Sequence, residues 1–524
     1  MKRKVKNIND FSIKLFKILF YIFPFLLISG PFLPDLLVLF LAIYCIIFYY
    51  LSNNFFFFKK KIIFFFLIFY LYININSFFS YSSLISFSSS LPYIRMILFS
   101  IFLAYLLSKI DNLKKIIFFS FLFSYLILFI DSIIQINTGQ NILGYPIVTN
   151  RIASLFGDKL VMGSYVSRTL PILLAISYLI NLHQVKFLRV LLIFLGGSLV
   201  FFSAERVSLF YFFMTVLLYL LLLPNKKQVF FYITFLTILF SLLSFYKPST
   251  IERVLKHTLS QLDEKKGSWF SERHEMHFVT AYRMFLQNKF LGHGIKSFRY
   301  LCDQEPYSTR DLIENNNRNY SPIDGYYYLK INFVNDKNFV YYVLKDHKVE
   351  FEKISKTLED AKILKNESII REAEKSFYLF EKNNQIISIN FNNQILYSIK
   401  SSSKVSKGDY VFSNSDFLNG CNTHPHSFHL QILSELGLLG YVFLFSFFVY
   451  LIFIFLKNLI NVIFKKDKNA ERNYNLYKIF IVLALIQHLF PVIPSGNFFN
   501  NWLSVFFYFQ LAFLLNFHYY KKIK

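Results

Sequence analysis

The sequence predicts an all-α polytopic membrane protein with about twelve transmembrane helices and one large loop on the outer side of the membrane. Three observations lead to this fold class. The 524 residues are 55% hydrophobic and only 17% charged, a balance typical of membrane proteins. Apolar runs recur at close to the roughly 20 residues that a bilayer-spanning helix needs. Basic residues collect in alternate connections between these runs.

The apolar runs divide the chain into three regions. A transmembrane bundle over 1–246 holds the first nine predicted spans, a large outer loop covers 247–435, and the last three spans fill 436–524. The predicted spans lie near 12–30, 33–52, 62–79, 91–108, 116–135, 163–182, 188–203, 207–223, 228–246, 436–456, 477–493 and 500–517.

Lysine-rich segments determine the predicted orientation, because basic connections stay on the cytoplasmic side of a membrane. Basic residues at 59–61, 226–227 and 521–522 fall on one side of the spans, whereas the link 77–90 on the other side is uncharged. Both termini are therefore predicted to be cytoplasmic. No small-residue cleavage site follows the first apolar run, which we interpret as a retained span. The net charge of +25 then reflects membrane orientation, and we expect no nucleic-acid partner.

The outer loop is predicted to carry helices and a small α+β insert. Its first part, 251–300, has helical spacing, and Gly-His-Gly at 292–294 is expected to end that helix. The insert, 322–412, has strand-like runs bounded by asparagine-rich turns, and we interpret it as a lid or spacer. Strands are predicted over 326–334, 339–344, 386–389 and 395–399, with a charged helix over 354–375.

Three histidines precede the tenth predicted span: His424, His426 and His429. Thr423 is expected to cap a helix with Pro425 in its first turn, because these residue types favour helix N-termini. A helix N-terminus attracts phosphate and keeps a nearby imidazole neutral. His426 would then share one helical face with the residues four, seven and eleven positions later. The alternative is that the histidines only cap the span at the membrane interface.

Four arginines are candidate binding residues. Arg206 lies in a short outer link and Arg273 in the outer loop, and a guanidinium group keeps its charge and suits bidentate phosphate binding. The alternatives are an ion pair of Arg206 with Glu205 and a solvated helix face around Arg273. Arg151 and Arg168, near and inside the next span, would either line a path for an anionic lipid or anchor the chain at the membrane surface.

Cys302 and Cys421 flank the insert in a compartment predicted to be oxidising, where a disulfide is stable. We expect a bridge between them, with two free thiols as the alternative. The sequence shows no zinc motif, no metal-binding carboxylate cluster and no nucleotide-binding glycine loop. We therefore expect no metal and no cofactor. A reaction outside the cytoplasm would then need a donor that is already activated.

The segment 423–440 resembles a motif of the O-antigen ligase and O-antigen polymerase superfamily, the lipid-linked glycan transferases of the bacterial inner membrane. It contains a His-Ser pair, Leu-Gln, and Glu-x-Gly-x-x-Gly entering a late span. A second likeness runs from Arg273 to the Gly-x-Gly at 292–294, and a third is Arg206 in its short link. The topology agrees, and the resemblance extends over 120–524.

The resemblance implies metal-independent, inverting transfer of a glycan from undecaprenyl pyrophosphate. It implies that His426 takes the proton from the acceptor hydroxyl and that Arg206 and Arg273 bind the leaving pyrophosphate. The remaining candidates for substrate binding are Arg151, Arg168, His424 and Glu435.

Ligation of O-antigen to lipid A–core is the favoured function, with the active site on the periplasmic side and the substrates in membrane lipid. Polymerisation of repeat units is the close alternative, because the two activities share the motif. Ser427 replaces the family's commoner Asn, Glu205 stands where a small residue is frequent, and the insert has no counterpart, which leaves the acceptor open. A flippase or transporter is the alternative of another class, but the sequence shows neither paired repeats nor discontinuous helices.

Overall fold

The structure, a computed structural model, divides into two compact units. The membrane unit comprises Met1–Asp263, Lys289–Ile295 and Ser427–Lys524, and the loop unit comprises Glu264–Asn288 and Lys296–His426. The predicted outer loop, 247–435, is therefore shared between both units. The residues that the structure describes are 10–52, 60–148, 150–180, 183–256, 270, 272–309, the strands listed below between 327 and 412, 420–464, 469–491 and 493–519.

The described helices follow the apolar runs of the sequence. In chain order they are α1 (Asp10–Ile28), α2 (Phe32–Ser52), α3 (Lys61–Phe78), α4 (Ser83–Ser90), α5 (Ile94–Lys109), α6 (Leu113–Thr138), α7 (Met162–Ser177), α8 (Val185–Ser203), α9 (Arg206–Leu221), α10 (Lys226–Tyr246), α11 (Pro248–Ile251), α12 (Glu272–Gln287), α13 (Phe298–Leu301), α14 (Phe428–Phe464), α15 (Asn469–His488) and α16 (Asn501–Tyr519). Helices α12 and α13 belong to the loop unit and the others to the membrane unit.

Eight of the described helices are long and apolar enough to cross a membrane, counting Ser83–Lys109 as one. The protein is thus a helical membrane protein, as predicted. The predicted count of twelve also includes α7, α9, α15 and α16. Helices α7 and α9 have only 16 residues each, so that count stays a prediction.

Helices α7, α15 and α16 supply much of the core of the membrane unit. Every residue of α7 from Met162 to Ser177 is buried except Ser164, and the α16 run from Val505 to Phe509 is at most 3% exposed. Helix α10, in contrast, exposes large apolar residues such as Phe230 and Phe245. Exposed apolar side chains are compatible with a lipid environment, because the association of membrane helices does not depend on removing apolar groups from water.

Helix α14 is broken at Gly437, whose φ of 63° and ψ of −167° are not helical. The segment 289–295 fills the break with main-chain hydrogen bonds. Leu438 N–H donates to the Lys289 carbonyl at 2.7 Å, and Gly294 N–H donates to the Glu435 carbonyl at 2.7 Å. Backbone groups freed by a helix break need such partners inside a membrane protein. We call 289–295 and the break together the glycine clasp.

The clasp explains two glycines of the sequence motifs. A Cβ added to Gly292 would lie 2.5 Å from the Glu435 carbonyl carbon, and one added to Gly437 would collide with the Phe290 carbonyl. Both glycines also have positive φ, which L side chains rarely adopt. Gly-x-Gly was expected to end a helix, and that expectation is wrong because α12 ends earlier, at Gln287.

The strands of the loop unit form two antiparallel four-stranded sheets. The strands are β1 (Tyr327–Asn335), β2 (Asn338–Lys345), β3 (Lys348–Ser355), β4 (Glu367–Glu372), β5 (Lys375–Lys382), β6 (Gln385–Phe391), β7 (Gln394–Ser398) and β8 (Gly408–Phe412). Their orders are β3-β2-β1-β8 and β4-β5-β6-β7. The charged helix predicted over 354–375 is not found: β4 occupies 367–372, while 356–366 lie outside the described residues. The α+β character of the insert is thus not confirmed.

Candidate functional site

Four basic residues of the membrane unit lie close together, in connections that the charge alternation puts on the outer side. We call Arg151, Arg206, Lys247 and Arg253 the cation cluster. Arg253 interacts electrostatically with each of the other three. The Arg206 guanidinium donates from Nη2 to the Arg253 carbonyl at 3.4 Å. Three separate connections thus bring their positive charges to one place.

Glu205 is an acidic residue beside the cation cluster, and its ion pair is not with the adjacent Arg206, as one alternative held. It forms an ion pair with Arg151 instead, at 3.4 Å between Nη2 and Oε1. Gly163 N–H and the Ser208 hydroxyl each donate to its carboxylate at 3.0 Å. These donors lie in the first turns of α7 and α9, where a carboxylate is favoured. Burial raises the pKa of Glu205, and Arg151 opposes that shift.

Arg151 is held by its own surroundings. Its guanidinium donates to the carbonyls of Ser203 at 3.1 Å and Leu160 at 2.8 Å. The link between α6 and α7, which contains Arg151, is held by Asp131, which accepts hydrogen bonds from the Ser154 hydroxyl at 2.6 Å and Ile142 N–H at 2.8 Å. Because Asp131 is fully buried, these bonds fix the link. Arg151 therefore belongs to a rigid part of the cation cluster.

Lys247 and Arg253 were not anticipated from the sequence. Lys247 follows α10, is 7% exposed and donates to the Phe202 carbonyl at 3.1 Å. Burial, together with the positive charges of Arg151 and Arg253, lowers its pKa to about 8. The Nε atom of Arg253 is buried and has no hydrogen-bond partner among the described residues. The sequence contained a signal for both residues, since two cations follow α10 on the predicted outer side, which the orientation rule disfavours.

Arg168 does not join the cation cluster. It lies within α7, is 8% exposed, and contacts the Ser164 hydroxyl at 3.1 Å and His488 Nδ1 at 2.9 Å. The expectation of a surface anchor is therefore wrong, because the side chain bonds to groups inside the helix bundle. Arg273 is in the first turn of α12, and its side chain lies outside the described residues.

Four histidines of the loop unit lie close together, with three of them next to His426. The ring centre of His426 lies 4.2 Å from that of His424 and 5.3 Å from those of His274 and His277. Burial comes first among the causes that lower the pKa of His426 to about 2, followed by its three histidine neighbours. The pKa of His424 is lowered to about 4 for similar reasons, with Arg299 contributing. Both imidazoles are therefore neutral at physiological pH.

The helix start predicted around His426 is wrong. Helix α14 begins at Phe428, and Ser427 caps it by accepting a hydrogen bond from Leu430 N–H at 3.3 Å. Thr423 and Pro425 precede the helix, so His426 shares no helical face with later residues. His426 has instead a φ of 54°, in the left-handed region, which a residue other than glycine adopts at an energetic cost.

Two other motif residues of α14 have structural contacts. His429 is 7% exposed and contacts the Leu489 carbonyl through Nε2 at 2.8 Å. Glu435, a predicted substrate contact, is fully buried and accepts a hydrogen bond from the Gln431 amide at 3.0 Å. The same Gln431 amide donates to Asn497 at 2.9 Å. Gln431 therefore joins α14 to the connection before α16, and Glu435 accepts from the same amide.

Cys302 and Cys421 form a disulfide with a Cα–Cα distance of 4.9 Å. It joins the end of α13 to the residue just before Asn422, at the start of the histidine segment 422–426. Among the described residues, no group of three His, Cys, Asp or Glu side chains could hold a metal ion.

No family model matches the chain, and no curated protein matches it either. The arrangement of charged and imidazole side chains is therefore the evidence for function. It provides fixed positive charges in the membrane unit and neutral, partly buried imidazoles in the loop unit.

Proposed function

We propose that the chain is a membrane glycosyltransferase of the bacterial inner membrane. It moves a glycan from undecaprenyl pyrophosphate to an acceptor hydroxyl on the periplasmic side. The observation that carries the proposal is the cation cluster, in which three arginines and one lysine from three connections lie close together. Such a cluster attracts a polyanion, and arginine suits phosphate oxygens through its planar set of donors.

The reaction needs two chemical functions, a group that stabilises the leaving pyrophosphate and a base that accepts the proton. In the transfer, the acceptor oxygen bonds to the anomeric carbon from the face opposite the pyrophosphate. The bond from that carbon to the pyrophosphate oxygen breaks, and both electrons leave with undecaprenyl pyrophosphate. The cation cluster stabilises the negative charge that develops there. The acceptor proton passes to the neutral imidazole of His426 as the acceptor oxygen forms its new bond.

Ligation to lipid A–core remains the first choice, and repeat-unit polymerisation is the second, because the same groups serve both. Transport is the alternative of another class. The sequence predicted no discontinuous helix, which a transporter often has, but α14 is discontinuous, so this prediction is wrong. The glycine clasp, however, supplies main-chain partners at that break. The break therefore offers less free backbone for binding an ion or a substrate than a transporter's broken helix would.

The test is transfer of glycan in membranes, with undecaprenyl-pyrophosphate-linked glycan as the donor. Arg206→Ala and His426→Ala should each abolish most transfer in a folded protein. Lys159→Ala is the matched control, because Lys159 is 72% exposed on the predicted outer side and forms its ion pair with neighbouring Asp158. Full transfer by both Arg206→Ala and His426→Ala would refute the proposed function.

Glycolipid analysis of a deletion strain separates the two activities. Loss of all long chains on lipid A, with lipid-linked polymer accumulating, indicates a ligase. Products that carry a single repeat unit indicate a polymerase. Retention of the lipid-linked donor on the cytoplasmic side would instead favour the transporter.

A further inference from the structure

The amide of Asn422 has a defined orientation. Its Oδ1 accepts a hydrogen bond from Thr423 N–H at 2.6 Å, so Oδ1 and Nδ2 are not interchangeable. Nδ2 lies 2.8 Å from Nε2 of His426. Because an amide nitrogen can only donate, Nε2 must be the acceptor in this pair.

This hydrogen bond determines where His426 carries its proton. A neutral imidazole has one nitrogen with hydrogen and one with a lone pair. If Nε2 accepts from Asn422, the proton is on Nδ1 and the lone pair is on Nε2. An imidazolium could not accept this bond, because both of its nitrogens donate. The contact therefore selects both the neutral state and one tautomer.

The groups around His426 act in the same direction. His274 and His277 face it from α12, and His424 faces it from its own segment. Arg299 of α13 acts on His424. A second positive charge among these groups is unfavourable, which agrees with the lowered pKa of His426.

The segment that carries Asn422 is held on both sides. Gly420 has a φ of 76°, and its carbonyl contacts Nδ1 of His277 at 3.0 Å. Cys421 is tied to Cys302 by the disulfide. The left-handed backbone of His426 is maintained against its own preference, a pattern that recurs at functional positions.

We propose that Asn422 is a positioning residue for His426 and that the acceptor sugar hydroxyl takes its place at Nε2. In the resting protein the Asn422 amide occupies the lone pair that would accept the proton. The acceptor hydroxyl displaces the amide, donates to Nε2 and transfers its proton there as its oxygen bonds to the anomeric carbon. Nδ1 keeps its hydrogen throughout, so His426 becomes an imidazolium and later releases one proton. This inference rests on the proposed function.

The decisive variant is Asn422→Asp, which keeps the shape and the acceptor for Thr423 N–H. A carboxylate cannot donate to Nε2, and it favours the protonated imidazole. Transfer by Asn422→Asp should therefore fall as the pH is lowered and recover as it is raised, whereas the wild type shows no such fall between pH 5 and 8. Asn422→Ala should lower transfer by a similar factor at every pH, because the His426 tautomer with its lone pair on Nε2 is no longer selected and the contact with Thr423 N–H is lost.

Chemical modification supplies a readout besides activity. Diethyl pyrocarbonate reacts with neutral imidazole, and mass spectrometry measures its addition to His426. In Asn422→Asp this addition should decrease at low pH, and in the wild type it should not. Asn112→Asp, the same change at an exposed position, should leave both profiles unchanged.

The outcomes separate the inference from the proposed function. Equal losses for Asn422→Asp and Asn422→Ala at every pH, with flat modification profiles, would show a merely structural role and overturn the inference. If His426→Ala and Arg206→Ala transfer glycan like the wild type, the proposed function fails instead. Loss in His426→Ala together with an acid-sensitive Asn422→Asp supports both.

Discussion

Replacing Arg253 by alanine tests the cation cluster with little disturbance of the fold. Arg206 donates to the main-chain carbonyl of Arg253, which alanine also provides, so that contact remains. The Arg253 Nε atom is buried without a hydrogen-bond partner among the described residues. Replacement by alanine therefore removes an unsatisfied buried donor and leaves no partner of Nε unpaired. We therefore expect the thermal stability of Arg253→Ala to equal or exceed that of the wild type.

Transfer should nevertheless decrease. A hydrogen bond to a charged group contributes about 1.5–3 kcal/mol, which corresponds to roughly a 10- to 100-fold loss in kcat/KM. The pKa of Lys247 should rise from about 8, because one of the positive charges that lower it is gone. Arg253→Lys should recover only part of the loss, since an ammonium group lacks the planar set of donors.

The assay uses the purified full-length protein in lipid, undecaprenyl-pyrophosphate-linked glycan as donor, and inorganic pyrophosphate as a competitor. Arg253→Ala should show both a lower kcat/KM and weaker inhibition by pyrophosphate, and Lys159→Ala should show neither change. Wild-type kinetics together with wild-type inhibition in Arg253→Ala would refute the assignment of Arg253 to the anion site.

Three further predictions concern the clasp, the disulfide and pH. Gly292→Ala should destabilise the protein by about 2–4 kcal/mol in thermal unfolding, whereas Gly30→Ala, which meets nothing within 4 Å, should cost less. Reduction of the Cys302–Cys421 bridge should lower transfer by loosening 422–426, and Cys45→Ser should leave sensitivity to reductant unchanged. The donor KM should rise above about pH 8, where Lys247 loses its charge; a flat KM from pH 7 to 9.5 would contradict its role.

The helices were predictable because their signal is local. Length and apolar content are properties of each run alone, and α1, α2 and α10 begin and end within about three residues of the prediction, the ordinary error of helix boundaries. The predicted start of α14 was wrong because Thr423 and Pro425 suit a helix start as well as Ser427 does. Only the hydrogen bond from Leu430 N–H to Ser427 identifies Ser427 as the cap.

The partners of charged groups could not be predicted, because they come from distant parts of the chain. Sequence adjacency suggested that Glu205 pairs with Arg206, yet Arg151 approaches from another connection and takes that position. The charge alternation did contain the evidence for Lys247 and Arg253. Both follow α10 on the predicted outer side, where the orientation rule disfavours basic residues.

The glycine clasp has a consequence for biogenesis. Lys289 and Gly294 are synthesised well over a hundred residues before their main-chain partners Leu438 and Glu435. The segment 289–295, which closes the break, can therefore form these hydrogen bonds only once the last quarter of the chain has been synthesised. Contacts between residues so far apart in sequence form late in folding. We therefore expect 289–295 to become ordered only when α14 is in place, so that a chain truncated before α14 leaves this segment without its main-chain partners.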